Sequence, residues 1–134
     1  MRKTVRLLIP LPLIAALALA GCKAGAGYPG LGTPRAALET YFSSARKADY
    51  ATTYDCYYRH YKDLVPEQDY VSHRSQASVL RSYAIESLSE KGGSAEATVA
   101  LAFGPKKGTA TDPSAVTVHE DLVKENGAWR IKVW

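Results

Sequence analysis

The sequence predicts an α+β domain: two to three helices in the N-terminal half, then a four-stranded antiparallel sheet. Apolar residues recur every three or four positions between residues 34 and 71, and alternate with polar ones between residues 95 and 133. Lys91-Gly92-Gly93 and Asn126-Gly127 supply the turn chemistry of hairpins. Helices followed by a meander is the α+β order.

The first helix opens at Thr33-Pro34, an N-cap followed by proline at the first helical position. Leu38, Tyr41, Phe42 and Ala45 then form one stripe, and the helix is expected to run to about Ala48. A second helix is expected from Asp49, with Tyr50, Tyr54, Tyr57, Tyr61 and Leu64 on one face and Asp55, Arg59, Lys62 and Asp63 on the other. Asp55–Arg59 and Arg59–Asp63 are i,i+4 pairs, worth a few tenths of a kcal/mol each. Pro66, with Glu67 and Asp69 after it, points to a short third helix over Tyr70 and Val71.

From Val79 to Leu88 the chain suits a strand, closed by the Lys91-Gly92-Gly93 turn. Ala95, Ala97, Val99, Leu101 and Phe103 alternate with polar or small residues along the second strand. Gly104 to Pro113 reads as a polar loop. Val116, Val118, Glu120 and Leu122 share one face of the third strand, and Trp129, Ile131 and Val133 one face of the last.

Ahead of the domain stands a targeting segment. Arg2, Lys3 and Arg6 precede an apolar run from Leu7 to Ala20, the pattern of a secretory signal. The run is shorter than the roughly 20 residues a spanning helix needs, and Pro10 and Pro12 interrupt it. Leu19-Ala20-Gly21-Cys22 resembles the lipobox of bacterial lipoproteins. The resemblance implies removal of residues 1–21, diacylglycerol and fatty acyl groups such as palmitate on Cys22, and a domain facing the periplasm or cell exterior. The alternative is an ordinary signal peptide with a chance cysteine at its end. Lys23, not aspartate, follows Cys22; by resemblance to enteric sorting signals this favours an outer membrane where one exists. Residues 22–32, rich in glycine, are expected to form a flexible tether, leaving residues 33–134 as the domain.

Charge must be recounted on the mature chain. The full sequence has 17 Lys+Arg against 13 Asp+Glu, a net charge of +4, and loss of Arg2, Lys3 and Arg6 brings this to +1. No basic surface remains to argue for a nucleic-acid partner. The two cysteines are Cys22, taken by lipid, and Cys56, so the mature chain has no pair for an internal disulfide.

The order of elements resembles the nuclear transport factor 2-like superfamily, in which a curved sheet wraps around helices as a cone. Thr33-Pro34, Tyr41-Phe42, Ala45, Ala48-Asp49-Tyr50-Ala51 and the closing run Glu125-Asn126-Gly127-Ala128-Trp129-Arg130-Ile131 carry the likeness. It includes lumazine-binding-like and uncharacterised lipoprotein groups. It implies a cone and a pocket, and no single activity.

Some members of that superfamily are isomerases and cyclases that place an acid or base inside the cone. The candidates here are His60, His73, His119, Asp55, Asp69, Glu120 and Asp121, and none stands in a dyad motif. Cys56 and His60 stand at i,i+4, a spacing that suits a nucleophile pair or half a metal site; no further ligands follow at zinc-like spacing. No catalytic residue, metal site or cofactor is assigned. The unusual feature is tyrosine: Tyr50, Tyr54, Tyr57, Tyr58, Tyr61, Tyr70 and Tyr83 crowd one region. They either pack a core or line a pocket, and Tyr54, Tyr58 and Tyr61 are the candidate pocket residues. The leading expectation is a membrane-tethered, non-catalytic binding or interaction lipoprotein of the cell envelope, with a small molecule or an envelope protein as partner. The rivals are a small isomerase or cyclase using His or Asp in the cone, and a structural partner of another envelope protein.

Overall fold

The computed structural model describes residues 27–104 and 114–134, so the expected signal segment, its expected cleavage residues Leu19 to Cys22 and most of the polar loop lie outside the described residues. Helix α1 spans Pro34–Arg46; the Thr33 hydroxyl accepts from the Ala36 N–H at 3.1 Å, as the N-cap reading requires. It buries Ala37, Leu38, Phe42 and Ala45. Ala48, in the left-handed region at φ 57°, ends it and turns the chain into Asp49. Asp49 caps α2, Tyr50–Asp55, accepting from the Thr52 N–H at 3.2 Å and the Thr52 hydroxyl at 2.8 Å.

The expected single helix from Asp49 to Leu64 is two helices, because α3 begins only at Arg59 and runs Arg59–Leu64. The break at residues 56–58 docks on the last strand. The Cys56 carbonyl accepts from Ile131 N–H at 2.8 Å, and Tyr58 N–H donates to the Ile131 carbonyl at 3.0 Å. Backbone groups that would close the helix instead pair the edge of the sheet, where a free edge would be a liability. Asp55 and Arg59 thus fall on opposite sides of the break, and the ion pair formed is Arg59–Asp63 at 3.7 Å, exposed and weak. Leu64, expected on the buried stripe, is 59% exposed. Helix α4, Glu67–Gln76, follows Pro66 with Glu67 and Asp69 in its first turn, favourably placed for the helix dipole.

The sheet has strand order β1-β2-β3-β4, antiparallel throughout: β1 Val79–Lys91, β2 Ser94–Gly104, β3 Ser114–Glu125 and β4 Ala128–Lys132. Gly92, at φ 62°, lies in the first hairpin turn. Asn126 and Gly127, at φ 50° and 80°, have the positive φ pair of a type I′ turn. Two register shifts in β1, at Leu80/Ser82 and Ile85/Ser87, are of the kind that bends a strand. The inner face carries Ile85, Val99, Leu101, Val118, Leu122 and Ile131 against the helices. Trp129, 2% exposed, and Ile131, 1% exposed, are at the bottom of this core.

Residues 28–32, expected to belong to a flexible tether, are fastened to the domain. Gly30 exchanges two 2.9 Å hydrogen bonds with Thr40 Oγ1, and the Leu31 carbonyl accepts from Trp129 N–H at 2.9 Å. Residues 28–32 therefore belong to the domain, fastened by backbone groups that a sequence pattern does not display.

Candidate functional site

Between the inner sheet face and the helices lies a cleft of about 140 Å³, where Tyr41, Tyr57, Arg74 and Glu120 meet above Phe42 and Leu101. Each arrives for a local reason. Tyr41 precedes buried Phe42 on α1, and its ring meets that of Phe42 edge-on at 4.9 Å. Tyr57 sits in the helix break, held by its bridge to Ile131, with its ring 4.4 Å from Tyr61 and 5.5 Å from Tyr70. Arg74 comes from the last turn of α4 and also lies over the Tyr50 ring, 5.7 Å from its centre. Glu120 is opposite Ala97 on β3, two residues from Leu122, so the pleat turns it inward.

The Tyr41 and Tyr57 hydroxyls share a 2.6 Å hydrogen bond. Burial, then the neighbouring Tyr70, holds Tyr41 well above the ordinary phenol value. Burial, then Tyr41, does the same for Tyr57. Both stay neutral, and in the bond between them one hydroxyl donates and the other accepts. Burial, with Asp121 beside it as a lesser cause, pushes the Glu120 carboxyl from 4.5 up to about 7. Among the described residues no group hydrogen-bonds the Glu120 carboxyl. Among the described residues no buried side-chain oxygen lacks a partner, so the Glu120 carboxyl, half-buried, keeps contact with solvent, and its cost is that of partial desolvation.

The residues singled out from sequence are placed differently. Tyr54, Tyr58 and Tyr61 do not line this cleft. The Tyr54 hydroxyl donates to the Val65 carbonyl at 2.6 Å, and the Tyr58 hydroxyl to the Val133 and Trp134 main-chain oxygens at 2.6 and 2.9 Å. Both rings are buried. The tyrosines thus divide: Tyr54 and Tyr58 tie the α2–α3 region to neighbouring backbone, Tyr61 packs between Tyr57 and Trp134, and Tyr57 alone of that helical stripe reaches the cleft. The break explains this, since it rotates the residues after Asp55 out of the expected helical phase.

Of the acid–base candidates, His60, His73, His119, Asp55, Asp69 and Asp121 are exposed, and Glu120 alone faces inward. Cys56 is buried, donates to the Thr52 carbonyl at 3.4 Å, and is separated from exposed His60 by the break. Burial pushes its thiol up to about 12, so it offers no thiolate at neutral pH. Among the described residues there is no cluster of three or more metal-ligating side chains, and no helix long and apolar enough to cross a membrane. A wider hollow of about 300 Å³ is lined by exposed Glu96, His119 and Asp121 and also touches Ala97 and Glu120, so Glu120 borders this hollow as well as the inner cleft.

Sequence reasoning named Glu120 only among several acids and did not single out Arg74. The available signal was Glu120 itself, an acid in register with Val116, Val118 and Leu122 on an otherwise apolar strand face.

No family model matches the chain, and no curated protein matches it. Solved structures do. A SEC-C motif containing protein from Rhodopseudomonas palustris superposes with a TM-score of 0.63 at 15% identity, covering 76% of this chain and 77% of that one. A putative calcium/calmodulin-dependent protein kinase type II association domain from Thiobacillus denitrificans superposes with a TM-score of 0.60 at 14% identity, covering 77% and 92%. At such identities the likeness is one of fold: helices packed on an open four-stranded antiparallel sheet.

Proposed function

We propose that this chain is a lipoprotein of the bacterial cell envelope, lipidated on Cys22, whose nuclear transport factor 2-like cone binds a small polar molecule in the Glu120 cleft. The observation that carries the binding reading is the convergence of Glu120, Arg74 and the Tyr41–Tyr57 hydroxyl pair on one cleft, with the Glu120 carboxyl free of hydrogen bonds from the described residues. A ligand group that donates to Glu120 would supply the missing partner, and aromatic walls would hold its planar part. At about 140 Å³ the cleft lies below the roughly 300–1,000 Å³ of drug-sized sites, which favours a ligand of few heavy atoms. The likeness in fold to a kinase association domain and the α+β architecture support the cone; the lipid anchor rests on Leu19-Ala20-Gly21-Cys22.

Native mass spectrometry of the lipidated protein, purified from its own membranes, tests the proposal. A small molecule should accompany the wild-type chain and be depleted from Glu120→Gln. Its absence from wild type under every gentle extraction would count against a binding role.

A second reading has one observation in its favour. A carboxyl titrating near neutrality beside neutral tyrosine donors suits proton abstraction next to a carbonyl, with Glu120 as base and Tyr41 stabilising the oxyanion. Under that reading Glu120→Gln abolishes turnover but not binding.

A further inference from the structure

The segment leading into α1 is fastened to the domain early. The Tyr28 hydroxyl donates to Asp49 Oδ2 at 3.1 Å, and the Lys47 ammonium lies 4.8 Å from the centre of its ring. From Cys22 to Tyr28 the chain can therefore reach no more than about 20 Å, at roughly 3.3–3.6 Å per residue fully extended. A domain of about a hundred residues has a radius of gyration near 13 Å and is wider than that leash. A lipid on Cys22 thus cannot hold the domain clear of the bilayer; the face that carries Tyr28 must turn toward it.

That face has the composition for the task. Arg46 and Lys47 end α1 exposed, two cations against the one carboxylate of Asp49, which hydrogen bonds from Thr52 and Tyr28 hold ionised. Beside them a shallow groove of about 380 Å³ is lined mostly by apolar groups, Ala48, Ala51, Val71 and Val79 with the Tyr50 ring, and by Asp49 and Ser75 at its polar points. Cations next to an open apolar strip complement a layer of anionic headgroups over acyl chains.

We infer that the domain lies on the bilayer that holds its lipid, with Tyr28, Arg46, Lys47 and the groove along Ala48, Ala51, Val71 and Val79 set against anionic phospholipid headgroups. This rests on the reading of Cys22 as the lipidated residue. It gives the leash a function opposite to that of a spacer: it fixes orientation, and with it the direction from which molecules reach the domain.

The test uses the full lipidated protein in vesicles of phosphatidylcholine and phosphatidylglycerol carrying a headgroup nitroxide. A fluorophore is placed at Ala51→Cys or, on the outer sheet face, at Glu86→Cys; both sites are exposed and Cys56 is buried. Quenching should be several-fold stronger at residue 51 than at residue 86, and Arg46→Glu with Lys47→Glu should narrow the gap. Equal quenching at the two sites, on protein whose mass shows acylated Cys22, overturns the inference alone. A gap indifferent to the charge reversal overturns the headgroup assignment. A mature chain with no acyl mass overturns the lipoprotein reading and the inference with it.

Discussion

Replacing Glu120 with glutamine tests the electrostatics of the cleft without changing its shape. In the folded chain burial raises the carboxyl from 4.5 to about 7. The native state therefore keeps a proton that the unfolded chain has already released between those values. Stability must fall as pH rises through that window, by at most about 1.4 kcal/mol per pH unit. Below it both states are protonated and the effect vanishes; above it the full penalty applies. A shift of this size corresponds to about 3 kcal/mol, and relaxation around the partly accessible carboxylate reduces it to about 2–3 kcal/mol. Glutamine cannot ionise, so Glu120→Gln should match wild type near pH 4 and exceed it by about 2–3 kcal/mol near pH 8. Urea unfolding of both proteins across this range measures the difference. Parallel pH profiles would refute the reasoning, because they would mean that Glu120 is solvated in the folded protein.

Three further outcomes are expected from the same structure. Trp129→Ala should cost about 3–5 kcal/mol in urea unfolding, since the side chain is 2% exposed and its removal leaves a large cavity in the core. Tyr58→Phe should cost about 1–2 kcal/mol, because its hydroxyl serves two main-chain oxygens at 2.6 and 2.9 Å. Thermal melts of that variant would show no loss if the hydroxyl were solvated. Cys22→Ser should leave an uncleaved precursor without lipid, which mass spectrometry of the membrane fraction detects.

Much of the fold was legible because its signals are local. Thr33-Pro34 caps α1, Gly92 and Asn126-Gly127 sit where the turns need them, and alternation assigned the inner faces of β2 and β4. The break at residues 56–58 was not legible, since no proline or glycine marks it and the cause, the edge of β4, lies more than seventy residues away. A continuous helical wheel drawn through that break put Tyr54, Tyr58 and Tyr61 on a common wall. In the folded chain the wall belongs to Tyr41 and Tyr57, brought together from α1 and the break. Tertiary pairing overrode helical periodicity where the candidate cleft is formed. Val116, 44% exposed, shows the same limit at the far end of β3, where alternation continues beyond the cover of the helices.

The central claim is that the Glu120 cleft is where this protein meets its ligand. Its most direct test is the footprint, by NMR, of the molecule that accompanies the native protein when it is returned to the emptied domain. The account predicts the largest shifts at Tyr41, Tyr57, Arg74 and Glu120, with Tyr54 and Tyr58 unmoved. Shifts centred on the outer sheet face at His119 and Asp121, with Glu120 unchanged, would contradict it.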